Sequence, residues 1–156
     1  MINSFFRYCI SVVFFLCLAS CNQNEAYFKF ISIPQNKWNK QEEVCFLMDS
    51  SSFIPNHKYA ISLEITHNIN YPYKNLFLYL NHTLDDKILS QDTIECNLVD
   101  ELGKWQGSGN GATRNLSVLY KTNLILDTTL HNEICIRHAM QDQNLKGIER
   151  IGLKVY

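Results

Sequence analysis

The chain has little proline, little glycine and no clustered charge. Only 3 Pro and 6 Gly occur among its 156 residues, and no run of like charges is longer than two residues. Together with a hydrophobic content of 46%, these scarcities exclude a disordered chain and a charged interaction tail. The formal net charge of −1 also argues against a nucleic-acid-binding protein, which usually carries a basic face.

Sustained helical patterning is absent as well. No window repeats apolar residues every ~3.6 positions over the length of a long helix, and only Met140–Leu145 is expected to form a helical turn. Short runs rich in β-branched and aromatic residues alternate instead with polar turns, which is typical of strands. Eight strands are predicted: Ala26–Ile31, Val44–Met48, Lys58–His67, Leu76–Thr83, Thr93–Val99, Asn115–Leu126, Glu133–Met140 and Gly147–Tyr156.

The order and pattern of these strands predict an all-β fold. Along Lys58–His67, apolar side chains occupy the odd positions, and smaller or polar ones, among them Ser62 and Glu64, occupy the even positions. This alternation predicts one buried face and one wetter face. Because the strands follow one another without intervening helices, we expect an antiparallel two-sheet sandwich of jelly-roll type, built as one domain from residues 26–156.

The start of the chain carries the features of a bacterial lipoprotein signal peptide. The apolar stretch Cys9–Leu18 is too short for a comfortable membrane span, which needs about 20 residues. It ends in Leu18-Ala19-Ser20-Cys21, a lipobox, in which the Cys thiol receives a diacylglycerol through a thioether before cleavage. We therefore expect residues 1–20 to be removed, Cys21 to carry the lipid, and residues 21–25 to form a short tether.

A lipidated Cys21 implies a protein of the bacterial cell envelope, held at a membrane by its acyl chains. The residue after Cys21 is Asn22, so the Asp that would retain the protein in the inner membrane is missing. No dense acidic cluster follows that would direct the chain to the cell surface. We expect an outer-membrane lipoprotein that faces the periplasm.

Three cysteines remain in the processed chain beyond the lipidated one. Because Cys45, Cys96 and Cys135 are odd in number, they allow at most one disulfide and leave at least one free thiol. Each lies in an apolar, strand-like run. They are therefore either small buried hydrophobic residues or, for two of them, a disulfide formed in the oxidising periplasm.

The motifs that would indicate an enzyme or a metal site fail on spacing. In the Gly-rich segment Gly103–Gly111, Trp105 stands where a P-loop needs Ser or Thr, and the spacing of a nucleophile elbow is missing. On one strand, His131 and Cys135 would lie about 13 Å apart. His138 would point to the opposite face, so these three residues do not predict a zinc site. The spacing thus gives no positive signal for catalysis or for a metal site.

Three aromatic residues are candidates for a contact surface. Tyr71, Tyr73 and Trp105 lie in or beside loops of the predicted sandwich. Loops often carry function, and Trp and Tyr are enriched in interface hot spots, so we expect these residues to bury area against another envelope protein. Two alternatives are open: the rings close the ends of the core, or they stack on sugars in a carbohydrate-binding module.

Two short sequences are candidates for glycan attachment. Asp92-Thr93-Ile94 and Asp127-Thr128-Thr129 match an Asp-Thr pattern that some bacteria glycosylate on the Thr hydroxyl. Modification of Thr93 or Thr128 is a hypothesis that an intact mass equal to that of the lipidated polypeptide would remove.

A series of single residues and short motifs follows one another along nearly the whole chain. In order they are the lipobox Cys21, Trp38, Asp49, Tyr71–Phe77, Asp92–Glu95 with Leu98, Gly103–Gly109, Met140, Leu145–Ile148 and Ile151–Leu153. This order resembles the GldH-type gliding-motility lipoproteins of the Bacteroidetes. Tyr-Pro-Tyr-x-Asn-Leu followed by Gly-Lys-Trp-x-Gly-x-Gly is the specific pair. The chain departs from the family pattern at His67-Asn68 and at Gln141, where the family pattern has Arg.

The resemblance implies a lipid-anchored envelope protein that supports gliding motility and the associated type IX secretion machinery. It implies a non-enzymatic accessory or scaffold role, no cofactor, and partners among the other envelope proteins of that apparatus. The two missing Arg residues imply that a partner surface at those positions differs from that of the family.

Overall fold

The computed structural model describes residues 25–84, 88–129 and 131–156, and these residues form ten strands and two short 3-10 turns. The strands are β1 (Tyr27–Ser32), β2 (Lys37–Asn39), β3 (Val44–Met48), β4 (Tyr59–Asn68), β5 (Asn75–His82), β6 (Ser90–Asn97), β7 (Thr113–Leu124), β8 (Asn132–His138), β9 (Asn144–Lys146) and β10 (Ile148–Val155). The predicted signal peptide and Cys21 lie outside these ranges. No helix within them is long and apolar enough to span a membrane.

The strands pair as a long hairpin that has been rolled up. The antiparallel pairs are nested: β5 with β6, β4 with β7, β3 with β8, β2 with β9, and β1 with β10. Rolling the hairpin brings β10 next to β4 and β8 next to β5. The result is a first sheet of order β1-β10-β4-β7, a second sheet of order β3-β8-β5-β6, and the small pair β2-β9. This is a jelly-roll sandwich, as the sequence predicted.

The eight predicted strands are all present, with ends that differ by a few residues. The sequence missed β2 and β9, which are three residues each and too short to show a period. The expected helical turn at Met140–Leu145 is wrong. Leu145 pairs with Trp38 in the β2-β9 ladder, and this ladder satisfies backbone groups that a helical turn would otherwise have satisfied.

The hydrophobic core lies between the two large sheets. The odd positions of β4 point inward, and Ile61, Leu63 and Ile65 are fully buried there. Opposite them, inward side chains of β5 and β8 complete the core, for example Leu78 and Ile136. The alternation read from the sequence therefore predicted the buried face correctly.

The outer face of β4 is less exposed to solvent than its alternation predicted. Ser62 and Glu64 are buried although they point away from the core. Gly152 lies beside Glu64 on β10, and its missing side chain lets the Phe30 ring pack across the sheet. The Glu64 carboxylate accepts hydrogen bonds from Ser117 on β7, at 2.6 Å, and from a neighbouring amide. A layer of side chains thus covers the face that was expected to be wetter.

The sandwich has two ends that differ in what they carry. We call the end at which β1 begins the proximal end, and it also carries the connections after β3, β5 and β7. The opposite, distal end carries the β2-β9 pair and the loops 69–74, 98–112 and 139–143. Because Tyr71, Tyr73 and Trp105 belong to those loops, all three predicted contact residues lie at the distal end.

Candidate functional site

Four aromatic rings form one cluster at the distal end, which we call the distal aromatic cluster. The Trp105 ring lies 4.7 Å from the His67 ring, measured between centroids. His67 lies 6.0 Å from Tyr71, and Tyr71 lies 5.9 Å from Tyr73. These separations are those of tilted and edge-to-face aromatic contacts. The fold therefore brings the three predicted residues together and places His67 among them.

Tyr71 is the buried member of the cluster. Its side chain is only 3% exposed, and its hydroxyl donates a hydrogen bond of 2.7 Å to the backbone carbonyl of Asn75. Burial raises the pKa of Tyr71 far above its ordinary value, so the hydroxyl stays protonated and remains a donor. Tyr71 thus supports the loop from inside the core, as one of the alternatives from the sequence expected.

Tyr73 is half-buried and joins two distal loops. Its hydroxyl donates a short hydrogen bond of 2.5 Å to the carboxylate of Asp142, in the connection between β8 and β9. This hydrogen bond is the main cause that raises the pKa of Tyr73. The part of the ring that is left exposed is consequently held in one orientation.

His67 occupies the last inward position of β4 and is fully buried. Its Nδ1 atom lies 3.5 Å from the Asn68 carbonyl, and its Nε2 atom has no hydrogen-bond partner among the described residues. Burial is the main cause that lowers the pKa of His67 below its ordinary value of 6.5. A neutral imidazole therefore packs between the Trp105 and Tyr71 rings at neutral pH.

The loop that presents Trp105 is held by its own backbone. The Asp100 carboxylate accepts the N–H groups of Leu102, at 3.0 Å, and Lys104, at 2.9 Å. Trp105 itself forms a β-bridge with Val99. These contacts make a compact turn, so the indole is presented by an ordered segment.

The Gly-rich part of this loop packs directly on β7. Gly107 has φ +85°, and a Cβ atom there would lie only 2.2 Å from the Asn115 carbonyl oxygen. Ser108 exchanges two backbone hydrogen bonds with the same Asn115, at 2.9 and 2.7 Å. The prediction that this segment is a turn with positive-φ positions is confirmed.

Two exposed aliphatic side chains lie on the same loops as Trp105 and Tyr71. Leu102 is 94% exposed at the tip of the Trp105 loop, and Ile69 is 67% exposed at the start of the Tyr71 loop. Trp105, which forms the β-bridge with Val99, is half-buried. Exposed aliphatic and half-buried aromatic side chains on ordered loops are suited to contact with another macromolecule.

A polar cleft of about 480 Å³ adjoins the cluster. It is lined by four amide side chains, two lysines and a glycine: Gln35, Asn36, Asn68, Asn70, Lys37, Lys146 and Gly147. Gly147 has φ +86°, and a Cβ atom there would lie 2.3 Å from the Tyr71 backbone nitrogen. The cleft and the cluster thus share one wall, which is the backbone of the Tyr71 loop.

A polar cluster lies at the side of the sandwich where β6 and β7 are the edge strands of the two sheets. Asp92 accepts a hydrogen bond from the Tyr120 hydroxyl, lies 3.1 Å from Nε2 of buried His82, and lies 3.5 Å from the Lys121 ammonium. The Tyr120 hydrogen bond is the main cause that lowers the pKa of Asp92. Because β6 and β7 belong to different sheets, these contacts hold the two sheets together at that side.

The cysteines resolve one alternative from the sequence. Cys45 on β3 and Cys135 on β8 form a disulfide across the ladder, and Cys96 is a buried free thiol. Cys135 is therefore not a thiolate that could bind zinc, and the Nε2 atom of His138 contacts the Trp38 carbonyl at 3.1 Å. Glu43 lies close to the two sulfurs, which are already bonded to each other.

His67 and Asp142 at the distal end and His82 at the side were not predicted from the sequence. A signal existed for His67, because the alternation of β4 continues through it as an inward position. No signal existed for Asp142, whose partner Tyr73 is 69 residues away. Thr93 is exposed on β6 and Thr128 is half-buried after β7, and their glycosylation stays a prediction.

The fold and the site define a jelly-roll β-sandwich protein with a cluster of aromatic rings at one end. The profile of the GldH lipoprotein family matches residues 25–155. The chain is 27% identical to a gliding motility lipoprotein GldH homolog of Christiangramia forsetii, over 98% of this chain and 96% of the relative. It is 23% identical to the gliding motility lipoprotein GldH of Flavobacterium johnsoniae, over 90% and 89% of the two chains. The chain therefore belongs to the GldH lipoprotein family.

Among solved structures, the chain is similar to the Yersinia pseudotuberculosis-derived mitogen. The two have a TM-score of 0.34 and 8% sequence identity, over 83% of this chain and 84% of that one.

Membership of the GldH lipoprotein family makes the protein a lipid-anchored protein of the cell envelope.

Proposed function

We propose that this lipoprotein is a non-enzymatic accessory or scaffold component of the gliding-motility machinery and of the associated type IX secretion apparatus. The observation that carries the proposal is the family match over residues 25–155, which takes in the distal end. Both relatives described above are named as gliding motility lipoproteins.

We propose that Cys21 carries the lipid and that the protein is held in the outer membrane, facing the periplasm. The lipobox Leu18-Ala19-Ser20-Cys21 and the absence of Asp after Cys21 support this placement. Two or more acyl chains on one residue give stable anchoring, whereas a single chain gives marginal binding.

The proposed contact surface is the distal aromatic cluster with its two exposed aliphatic neighbours. Trp105 and Tyr73 would meet an envelope partner directly, and Leu102 and Ile69 would extend the buried area. Tyr71 would contribute through the position of its loop, because its ring is inside the core. Aromatic anchors surrounded by smaller contacts are the usual form of an interface hot spot.

The test is crosslinking in cells that express the tagged, full-length lipoprotein, followed by purification and mass spectrometry. Recovery of other gliding or type IX secretion proteins is expected from the unaltered chain and is expected to be lost in Cys21→Ala. Trp105→Ala should weaken recovery without unfolding the domain. Phe77→Ala is the matched control, since Phe77 is an exposed aromatic residue on the outer face of the second sheet.

Two results would refute this proposal. Recovery of the protein alone, from cells in which it remains in the membrane fraction, would remove the accessory role. If Trp105→Ala and Phe77→Ala recover the partner proteins equally well, the accessory role stands, but the distal aromatic cluster is not its contact surface.

A second candidate function is carbohydrate binding, and the polar cleft is the observation that favours it. Amide side chains such as Asn36 and Asn70 are suitable hydrogen-bond partners for sugar hydroxyls. Against a sugar-stacking platform, the rings are tilted by 72° between Tyr71 and Tyr73 and by 47° between His67 and Trp105. Glycan-array binding by residues 22–156 that is lost in Asn70→Ala would support this function.

A further inference from the structure

The proximal end of the sandwich carries aliphatic side chains that the core does not use. Ile54 is 62% exposed in the connection after β3, Leu89 is 73% exposed before β6, and Ile125 is 52% exposed after β7. Ile54 follows buried Phe53 and Ile125 precedes buried Leu126, whereas Leu89 follows Ile88, which is itself 67% exposed. Three separate connections thus present large aliphatic groups at one end.

The anchor proposed above restricts which part of the domain can meet the membrane, and the present inference rests on that anchor. Cys21 and Glu25 are four residues apart in the sequence. A fully extended chain covers at most ~3.6 Å per residue, so the lipid lies within about 14 Å of Glu25. Glu25 is fixed at the proximal end, where its carboxylate pairs with the Lys154 ammonium at 2.6 Å.

The distal end is too far away to share this position. Strand β4 runs from one end of the sandwich to the other, and its ten residues span about 30 Å. A tether of about 14 Å therefore keeps the proximal end at the bilayer, and it leaves the distal loops free to face away from it.

We propose that the proximal end docks on the lipid surface itself and inserts Ile54, Leu89 and Ile125 into the headgroup region. Apolar side chains at such a surface are buried to a depth of about 5–10 Å. The lipid would hold the domain nearby, and these side chains would fix its orientation. The distal aromatic cluster would then be presented about 30 Å from the bilayer, toward other envelope proteins.

The experiment places an environment-sensitive fluorophore at single introduced cysteines in the full-length, lipidated protein. Ile54→Cys and Leu89→Cys report on the proximal end, Leu102→Cys on the distal end, and Leu119→Cys on the outer face of the first sheet. The native cysteines do not compete, because Cys45 and Cys135 are disulfide-bonded, Cys96 is buried and Cys21 is blocked by the lipid thioether. The protein is reconstituted in phosphatidylethanolamine–phosphatidylglycerol vesicles.

The expected result is a blue shift for the two proximal labels and loss of their fluorescence when the lipids carry a doxyl group near the headgroup. The labels at Leu102 and Leu119 should stay sensitive to aqueous iodide and insensitive to doxyl lipid. Quenching at Leu119 by doxyl lipid would show that the domain lies on its sheet face, and would overturn the proposal.

Proximal labels that stay exposed to iodide, on protein that remains bound to the vesicles, would also overturn the proposal while leaving the anchor intact. Proximal labels that are protected in native membranes but exposed on pure lipid would assign this end to a protein partner instead. Loss of vesicle binding in Cys21→Ala tests the anchor separately, so failure of the orientation and failure of the proposed function give different results.

Discussion

The disulfide between Cys45 and Cys135 makes a quantitative prediction about stability. The two residues are 90 apart in sequence, so the bond closes a long loop in the unfolded chain. In the chain-entropy treatment a loop of that length corresponds to about 4.6 kcal/mol at 25 °C, and measured values commonly lie at about 2–4 kcal/mol. Both residues lie on the outer face of the second sheet, so replacing sulfur by a hydroxyl should itself change stability by only about 0.5 kcal/mol.

We therefore expect the Cys45→Ser, Cys135→Ser double variant to lose about 2–4 kcal/mol of unfolding free energy. For a chain of this size the unfolding midpoint should fall by about 10 °C. The measurement is urea unfolding of a soluble form that begins at Asn22, followed by circular dichroism, with and without reductant. Reduced unaltered protein should behave like the double variant, and Cys96→Ser is the control for a cysteine outside the disulfide.

One result would refute this reasoning. If the oxidised protein and the double variant unfold at the same urea concentration with the same slope, the bond does not restrict the unfolded chain. Equality of the two slopes matters because a bond that restricts the unfolded chain makes that state more compact and lowers the slope.

Three further predictions concern single residues. Tyr71→Phe removes the donor to the Asn75 carbonyl and should lower the free energy of unfolding by about 1–3 kcal/mol in urea unfolding, with no change in the fold. Gly152→Ala would place a Cβ atom 2.7 Å from the Phe30 ring, so it should destabilise by about 1–3 kcal/mol, and a double-mutant cycle with Phe30→Ala should recover part of that loss. Because the pKa of His67 is lowered in the fold, the unfolded chain binds more protons below pH 6.5. Stability should be complete above pH 6.5 and fall as the pH drops toward the folded pKa, and this fall should be shallower in His67→Gln, as measured by urea unfolding between pH 5 and 8.

The strands and the core could be predicted from the sequence because they depend on local patterns. The alternation at Ile61, Leu63 and Ile65 fixed which side of β4 is buried, and it predicted the sandwich without any knowledge of pairing. The dry outer face of the same strand could not be predicted, because it depends on Gly152 and Phe30, which meet it only after β1 and β10 pair.

The candidate site was predicted in part for the same reason. Tyr71, Tyr73 and Trp105 were identified from residue type and loop position, and the fold places them in one cluster. Tyr71 is buried, whereas Tyr73 and Trp105 are half-buried. This difference depends on His67 and Asp142, which come from other elements. Burial of that kind follows from tertiary packing, and no local pattern reports it.

The nested pairing of the strands governs the order in which the protein can be made. The last long strand, β10, lies between β1 and β4, so the first sheet has a gap until residues 148–155 have been made and have paired. Until then β1 and β4 expose unpaired edges, and contacts between the two termini are among the slowest for a chain to form. A chain that lacks residues 148–156 would lose this strand and keep both edges open to aggregation and to envelope proteases. The first sheet thus closes only once residues 148–155 are in place, so we expect protease resistance to be gained when β10 pairs.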